Sequence, residues 1–409
     1  MPISKATLVQ KRIDSLSTLT DSNKNLSRQF GTPAFVEAAR RIREYMEQAG
    51  LDATIDSAGN VRGRLMSASP NAKSLVVGSH FDTIENSGKY NGVLGILVGI
   101  AAAASINRQQ FQLPFNLEVL GFSEGEGVRF HSAHLGSRAL TGTFDEQLVF
   151  LEDDRGITLR EVLKELKTDY EKISKDFIPR NKWLGFLDIH IEPGNQLGDK
   201  NIPVAVAESI YGHKRIDIKF SGVAAHAGSV PMDERKDALA AAAKFVLKVE
   251  EYASKGRNNI LATIGRLKVL NAATNMIPSQ VTCSLDMRGL DASKLSEAYE
   301  DLYKICEKIC HKRGIYFEWR LLQETPPIAC DEKISRYLMQ AISAKGYKPL
   351  NIVSGLATEA SVISEVAPVT VMFIRDSQGI SYNPHEEVTT EDIQLAIDIT
   401  EEFIKQVKV

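Results

Sequence analysis

Hydrophobic positions in the first part of the chain recur with the spacing of alternating helices and strands. Residues 34–49 have helical spacing, and "LDATIDSAGNVRGRL" then alternates like a hairpin around Gly59 and Asn60. The run "SLVVGSH" predicts a buried strand, residues 92–106 predict a buried helix, and "FNLEVLGF" predicts another strand. This strand, helix, strand order predicts a parallel sheet that is covered by helices.

The pattern changes in the middle of the chain. From "HKRIDIKFSG" onward the predicted order is strand, helix (236–253), two strands, helix (293–311) and a last strand, "GIYFEWRLL". The order β-α-β-β-α-β is typical of a ferredoxin-like unit. After "QETPPIAC" the α/β pattern resumes, with a helix near 333–345, the strand "VTVMFI" and a closing helix from Thr390.

We therefore predict the α/β fold class, with a mostly parallel sheet built from two chain segments. The segments are residues 1–211 and 326–409, and a smaller α+β domain is inserted at 212–325. A length of 409 residues agrees with two domains, since one core rarely serves so long a chain.

Composition narrows the class of protein. Hydrophobic residues make up 43% and charged residues 25%, and the formal net charge is −3, so neither nucleic acid nor an anionic membrane is an expected partner. The longest apolar run, "GVLGILVGIAAAASI", is too short to span a bilayer, and charges interrupt the N-terminal segment. We expect a cytoplasmic protein.

The four cysteines are too few for a disulfide framework in a chain of this length. Cys306 and Cys310 stand beside His311 in a helical pattern, where a zinc site and buried helix cysteines are the two interpretations. The buried cysteines are favoured, because a structural zinc needs a fourth ligand.

Acids and histidines follow the predicted strands of the larger domain. His80 comes directly after "VVGS", and Asp82 is placed to orient its imidazole. Glu124 and Glu126 follow the next strand, as a general base and a metal ligand would. Each motif alone is equally compatible with a structural histidine or a solvated acidic loop.

A third cluster, in "FLDIHIEPG", places His190 and Glu192 on one face of a strand. The ends of parallel strands meet at one edge of a sheet, and ligands bind there. Three such clusters in one domain favour a metal or catalytic site over a coincidental placement of acids and histidines.

The inserted domain offers donors for an anion. His226 lies in a loop rich in Gly and Ala, Asn275 precedes a turn that contains proline, and Arg288 ends a strand. Together they could hold a substrate carboxylate or an oxyanion. Polar surface residues at turns are the alternative interpretation.

These segments together resemble the M20 family of dinuclear-metal amidohydrolases and peptidases. The resemblance is strongest to the carbamoylase branch: N-carbamoyl-L-amino-acid hydrolases, allantoate amidohydrolases and β-ureidopropionases. It runs from "AARRIREYMEQAGL" through "GSHFDT", "GVRF", "LGSRALTG", "HIEPG", "HAGSVPMDERKDA" and "SLDMRGLD" to "GISYNPHEEVTTEDI". It implies an M20-like catalytic domain and an inserted dimerisation domain.

The resemblance also assigns metal ligands. One metal ion would be held at His80, position 91 and His190, and the other at position 91, Glu126 and position 382. The family has a bridging aspartate at 91, a general-base glutamate at 125 and a histidine at 382, whereas this chain has Asn91, Gly125 and Tyr382.

Other family positions are changed or kept. Where the family commonly has His-Asp, this chain has Thr358 and Glu359, and His213 replaces a glutamine near the substrate. His226, Asn275 and Arg288 match the substrate-binding group, which the family builds across a dimer interface. The resemblance therefore implies that the substrate-binding residues are kept and that the metal-binding residues are altered.

A neutral amide compensates two cations less well than a carboxylate, and a phenol is a poor ligand near neutral pH. We expect at most one divalent metal ion, Zn or Mn, held weakly by His80 and His190 with help from Glu126, and no metal at all is the alternative. Glu124 could replace the lost base and His385 the lost ligand. Deamidation of Asn91 before Gly92 is a further route to a bridging aspartate, but an ordinary stable asparagine is the favoured interpretation.

Two functions from different classes follow. The first is hydrolysis of a linear C–N bond in an N-carbamoyl or ureido carboxylic acid, by metal-activated water if the protein is active. The second is a degenerate homologue, or pseudoenzyme, whose homodimer binds a small carboxylated ureide or amide without conventional hydrolysis, or uses the altered site for metal-free chemistry. A peptidase or aminoacylase is a third option.

Overall fold

The computed structural model describes residues 3–166, 168, 170–256, 259–379 and 383–409. The chain forms two compact units. The first comprises Met1–Glu208 and Cys330–Val409, and the second comprises Ser209–Ala329. The sequence predicts domain boundaries after residues 211 and 325, and that division into domains stays a prediction.

The α-helices of the described residues, in chain order, are α1 Lys5–Ser17, α2 Pro33–Gln48, α3 Val93–Arg108, α4 Leu135–Thr141, α5 Leu159–Glu165, α6 Gln196–Lys200, α7 Ala238–Ser254, α8 Ala292–Arg313, α9 Glu332–Ala344, α10 Ala360–Ile363 and α11 Thr390–Gln406. Short 3₁₀ helices span Glu146–Phe150, Tyr170–Lys175 and Arg180–Lys182. None of the helices in these ranges is both long and apolar enough to cross a membrane.

The β-strands of the same residues are β1 Asp52–Ile55, β2 Val61–Leu65, β3 Ser74–His80, β4 Asn116–Phe122, β5 Trp183–Ile191, β6 Val204–Ile210, β7 Gly212–Ser221, β8 Ala225–His226, β9 Leu261–Leu270, β10 Met276–Ile277, β11 Gln280–Gly289, β12 Tyr316–Thr325, β13 Ile328–Ala329, β14 Asn351–Ser354 and β15 Val369–Ile374.

The first unit is built on one mixed sheet with a parallel centre. Its strand order is β1-β2-β4-β3-β5-β15-β6, and β14 pairs with β6. β3 pairs in parallel with β4 and β5, and β5 pairs in parallel with β15. β2 pairs antiparallel with β1 and β4, and β6 pairs antiparallel with β15. The predicted α/β class with a mostly parallel sheet is confirmed.

Burial explains why the central elements were predictable from the sequence. Every residue of β3 and β15 is buried, as expected for strands that are covered on both faces. α3 is buried along nearly its whole length, which agrees with its apolar residues on all sides. Thr32 caps α2 by accepting a hydrogen bond from the Phe35 N–H, and Pro33 occupies the first turn.

Helix α1 is absent from the sequence-based prediction. It buries Ala6, Val9, Ile13 and Leu16, which are spaced three, four and three residues apart and form one face. The charged residues between them obscured this face. The charged side chains lie on the opposite side, as in an ordinary amphipathic helix.

The second unit contains the order β7-α7-β9-β11-α8-β12, with the short strands β8, β10 and β13 added. Its four-stranded sheet has the order β12-β7-β11-β9, and all its pairings are antiparallel. Side chains of β11 alternate between buried and half-buried, so one face of the sheet packs on the helices. Cys283, Cys306 and Cys310 are buried and free in this core.

Candidate active site

Three parallel strands carry the candidate residues of the first unit to one edge of the sheet. His80 is the last residue of β3, Glu126 follows β4, and His190 lies near the end of β5. His80 Nε2 is 3.7 Å from Glu126 Oε1, and the rings of His80 and His190 have centroids 5.7 Å apart. The fold therefore assembles these three side chains in one buried pocket.

Asp82 joins the loops that follow β3 and β4. Its carboxylate accepts hydrogen bonds from the backbone N–H groups of Gly125, at 2.8 Å, and Glu126, at 3.0 Å. His80 Nδ1 is 3.5 Å from Asp82 Oδ1 and 3.0 Å from the Asp82 carbonyl oxygen. Asp82 therefore holds the loop after β4 through its carboxylate and contacts the imidazole mainly through its carbonyl oxygen. Its role in orienting a metal-bound histidine stays a prediction.

Asn91 faces Glu126 with its donor group. The Nδ2 atom donates a 2.9 Å hydrogen bond to Glu126 Oε1, and the Asn91 backbone N–H donates to Glu386 Oε1, also at 2.9 Å. The same Glu386 oxygen accepts from the Tyr90 N–H at 2.7 Å. Glu386, which the sequence did not single out, thus holds the segment that presents Asn91.

Glu124 is fully buried and has a left-handed backbone, with φ 46°. Its Oε1 accepts a 3.2 Å hydrogen bond from the Phe130 N–H. Burial, together with the charge of Asp82, raises the pKa of Glu124 well above its usual value. The contacts of Glu124 are those of a loop anchor, and its role as a base stays a prediction.

Glu359 fills the space beside Gly125. A Cβ atom added to Gly125 would lie 2.5 Å from Glu359 Oε1, 2.5 Å from His80 Cβ and 2.9 Å from His80 Cγ. These distances are about 1 Å shorter than ordinary contacts between nonbonded carbon atoms. Residue 125 must therefore remain glycine while Glu359 and His80 keep these positions.

The Glu359 carboxylate is surrounded by histidines. His134 Nδ1 lies 3.6 Å from Oε1, and His190 Nε2 lies 3.9 Å from Oε2. Burial alone would raise the pKa of Glu359, but the nearby His134, His80 and His190 outweigh it and lower the pKa to about 2. Glu359 is thus ionised over the whole neutral range.

His190 is also paired with Asp188, two residues earlier on the same face of β5. Asp188 Oδ1 is 2.8 Å from His190 Nε2, and Asp188 Oδ2 accepts a 3.3 Å hydrogen bond from the Ala360 N–H. The ligand atoms of Asp188, His190 and Glu359 all lie within 4.8 Å of one another. Such a group of two carboxylates and one imidazole can hold a divalent cation.

The charged groups of the pocket perturb one another. Burial lowers the pKa of His80, but Asp82, Glu126 and Glu359 outweigh that effect and raise it to about 10. Burial raises the pKa of Glu126. Strongly perturbed groups gathered in one pocket are typical of functional sites.

Other predicted residues of the first unit lie elsewhere or have other contacts. Glu192 accepts hydrogen bonds from the N–H groups of Gln196 and Leu197 and so holds the start of α6. His385 is exposed, and its backbone N–H bonds to the Asn383 side chain. Tyr382 lies outside the described residues.

The second unit brings its predicted residues together in two pairs. His226 and Asn275 are exposed neighbours, with 3.5 Å between His226 Nε2 and Asn275 Nδ2. Arg288 and His213 are partners in the register of β11 and β7, and Arg288 binds Asp286 at 2.7 Å. Burial, followed by the charge of Arg215, lowers the pKa of His213 to about 4.

The two pairs stand at opposite ends of β11. Asn275 lies in the turn before Gln280, whereas Arg288 is near the last residue of the strand. Gln280 and Arg288 are about 27 Å apart along the strand, at about 3.4 Å per residue. Within one copy of the second unit, Asn275 and Arg288 are therefore too far apart to bind the same small substrate.

Comparisons with known proteins place this pocket in a family. The model of "Peptidase family M20/M25/M40" matches residues 76–406. This chain belongs to the M20 family. The match covers most of the chain, including every element that supplies the pocket, so the predicted resemblance is confirmed.

Among relatives of the M20 chain, allantoate deiminase 2 of Glycine max is 32% identical, with 96% of this chain and 88% of the relative covered. The N-carbamoyl-L-amino acid amidohydrolase of Geobacillus stearothermophilus is 30% identical, with 90% of each covered. The crystal structure of AtUAH in complex with (S)-hydroxyglycine superposes with a TM-score of 0.88 at 27% identity, covering 98% of this chain and 97% of that one. The carbamoylase branch is thereby supported.

M20 proteins typically use divalent metal ions. In this chain, His80, Asn91, Glu126 and His190 do not fit a pair of bridged ions, because Asn91 carries no charge and turns its N–H donor toward Glu126. Asp188, His190 and Glu359 do fit a single ion by their donor atoms and spacing.

Sequence reasoning missed Asp188 and His134 and left the role of Glu359 open. Asp188 could have been found, since it precedes His190 by two residues on the same face of a strand. The contact of Glu359 with Gly125 could not, because their approach depends on how α10 packs against the β4 loop.

Proposed function

We propose that this chain hydrolyses a linear C–N bond in a small ureido carboxylic acid of the N-carbamoyl amino acid or allantoate type. The observation that carries the proposal is the buried imidazole and carboxylate pocket formed by His80, Glu126, His190 and Glu359 at the strand ends. It lies in a chain that aligns over at least 90% of its length with an allantoate deiminase and a carbamoyl amino acid amidohydrolase.

The residues of the pocket have distinct tasks in this proposal. Asp82 fixes the His80 ring, so that Nε2 stays beside Glu126. Glu359 is ionised and available as a metal ligand or hydrogen-bond acceptor. A divalent ion bound in the pocket supplies polarisation of the ureide carbonyl and activation of water. Burial of these groups strengthens their electrostatic effect on the substrate.

The test measures ammonia release by the purified full chain. Allantoate, ureidoglycolate and N-carbamoyl-L-amino acids are offered with and without added Zn²⁺ or Mn²⁺. Ammonia is the common readout, since carbamate itself decomposes to ammonia and carbon dioxide. We expect turnover that His80→Ala abolishes and that a control change of an exposed histidine, His311→Ala, leaves unchanged. No ammonia above background with any substrate and saturating metal refutes the hydrolase proposal.

A second candidate function is favoured by Asn91 and Gly125. In this alternative the chain binds a carboxylated ureide or amide without conventional dinuclear-metal hydrolysis. Calorimetric titration with the same compounds distinguishes the two functions. Binding without ammonia release supports the second, whereas binding with turnover supports the first.

We also propose that the substrate site is completed by a second copy of the chain in a homodimer. The support is the separation of Asn275 from Arg288 along β11, because two copies can bring Asn275 of one and Arg288 of the other to one substrate. Light scattering should give twice the chain mass. Mixing inactive Asn275→Ala and Arg288→Ala chains should restore part of the activity through hybrid dimers. A monomeric native chain contradicts this proposal.

A further inference from the structure

The end of β5 and the start of α10 hold a compact group of metal-binding side chains apart from Asn91 and Glu126. Asp188, His190 and Glu359 are 0%, 2% and 1% exposed. Asp188 Oδ1 and Glu359 Oε2 lie 2.8 Å and 3.9 Å from the same atom, His190 Nε2. The three ligand atoms are thus close enough to contact one ion.

Polar atoms in this group lack hydrogen-bond partners. Among the described residues, none donates a hydrogen bond to either carboxylate oxygen of Glu359, and none donates one to Asp188 Oδ1. His134 Nδ1, itself without a partner in those residues, remains 3.6 Å from Glu359 Oε1. Leaving a buried polar group unsatisfied costs about 1–3 kcal/mol, and more for a charged one. A ligand that accepts lone pairs removes this cost for Glu359.

Charge points to a cation as that ligand. Asp188 and Glu359 place two buried carboxylates within 4.8 Å of each other, and a cation bound between them reduces their mutual repulsion. A divalent ion neutralises both, and carboxylate with imidazole is a donor set that suits Zn²⁺ and Mn²⁺. Glu126, in contrast, already accepts the Asn91 amide hydrogen bond.

We propose that the chain binds one divalent metal ion between Asp188, His190 and Glu359, so that Glu359 supplies a carboxylate in the space that Gly125 leaves open. The ion site is thereby moved away from residue 91 and toward α10. The change at 359 and the glycine at 125 form one connected alteration, because a side chain at 125 would collide with the Glu359 carboxylate.

The experiment measures metal uptake by the full native chain and by single variants. After treatment with a chelator and dialysis, Zn²⁺ and Mn²⁺ are titrated separately, and bound metal is counted by mass spectrometry. We expect one ion per chain. Glu359→Gln and Asp188→Asn should each weaken binding by more than about 10-fold, since ligands matter at least as much as the groups that orient them.

Glu126→Gln is the matched control. It removes the charge of a carboxylate in the same pocket that is not a ligand in this proposal, so uptake should be unchanged. Loss of metal in Glu126→Gln with full uptake in Glu359→Gln overturns the proposal. Failure of the native chain to take up either ion overturns it as well.

Diffraction from native crystals soaked in Mn²⁺ or Zn²⁺ answers the question even if the variants do not fold. An anomalous peak about 2.0–2.2 Å from the oxygen and nitrogen ligands of Asp188, His190 and Glu359 supports the proposal. A peak between His80 and Glu126 refutes it.

Metal uptake is measured without turnover, so this inference and the proposed hydrolase function can fail separately. Metal uptake that depends on Glu359, without ammonia release, refutes the proposed hydrolase function and supports the proposed metal site. Ammonia release by a native chain that takes up neither Zn²⁺ nor Mn²⁺ refutes the metal site and supports the hydrolase function.

Discussion

Adding a methyl group at Gly125 should destabilise the first unit markedly, because two neighbours already occupy the space. The Cβ of alanine would meet Glu359 Oε1 and His80 Cβ at 2.5 Å each. Glu359 can withdraw its flexible end, but His80 is held by Asp82 and has less freedom. The backbone of Gly125 is not in the left-handed region, so the penalty is steric rather than conformational.

Overpacking of this kind costs about 1–3 kcal/mol, and two simultaneous collisions favour the upper part of that range. We therefore expect Gly125→Ala to lower the free energy of unfolding by about 2–3 kcal/mol. At about 2 °C per kcal/mol for a large domain, the melting temperature should fall by roughly 4–6 °C. The measurement is thermal unfolding with chelator present.

A double-mutant cycle isolates the contribution of Glu359. In a Glu359→Ala background one of the two obstacles is gone, so the same glycine change should cost only about 1 kcal/mol. The coupling energy is then about 1–2 kcal/mol, as is usual for residues in contact. An equal cost in both backgrounds would show that Glu359 does not occupy this space.

Gly194→Ala serves as the matched control. Its added Cβ has Glu192 Oε1 at 3.5 Å as its nearest neighbour, which is an ordinary contact. This change should be neutral, or stabilise by about 0.4–1 kcal/mol by restricting the unfolded chain. A loss at Gly125 no larger than at Gly194 refutes the reasoning. It follows that Gly125→Glu alone cannot rebuild a base at this position while Glu359 and His80 keep their positions.

Three further predictions concern other parts of the chain. Burial lowers the pKa of His213 from 6.5 to about 4, so the unfolded chain binds a proton before the folded chain does, and the free energy of unfolding falls as the pH drops from 6.5 toward 4. His213→Gln should therefore reduce the stability lost between pH 7 and pH 5 by about 2 kcal/mol, as measured by urea unfolding with tryptophan fluorescence, whereas His311→Gln should leave that loss unchanged. Glu386→Ala should cost about 2–4 kcal/mol, because two buried backbone N–H groups lose a charged acceptor, whereas the exposed neighbour change Glu387→Ala should cost less than about 0.5 kcal/mol. Asn91→Asp replaces a 2.9 Å hydrogen bond to Glu126 by carboxylate repulsion, so it should destabilise by about 1–3 kcal/mol in chelator and recover when Mn²⁺ is added.

Each of these three has a clear contrary result. An unchanged pH profile in His213→Gln would show that the ring is not responsible for acid sensitivity. Equal losses at positions 386 and 387 would remove the anchoring role of Glu386. Asn91→Asp with full stability in chelator would show that residue 91 and Glu126 do not face each other.

The sequence by itself determined most of the architecture. Buried strands such as β3 and β15 and the helix α3 are apolar throughout, and α7, α8 and α11 have clear helical periodicity. Their order along the chain is enough to predict a parallel sheet and an inserted α+β unit. Elements with a mixed pattern, such as α1, were not predicted, because charged residues on the exposed face of the helix obscure the spacing of its buried residues.

The sequence also identified the strand ends that carry the candidate site residues. His80, Glu126 and His190 could be expected together, since parallel strands end at one edge of a sheet. Motif positions further indicated that the residues at 91 and 125 depart from the family.

Only the tertiary structure showed which groups contact the altered residues 91 and 125. The contact between Glu359 and the empty space at Gly125 joins segments more than 230 residues apart, and no local pattern records it. The same holds for Glu386 behind Asn91 and for the separation of Asn275 from Arg288. Periodicity reports which face of an element is buried, whereas the identity of the group across the pocket depends on packing between elements that are distant in the sequence.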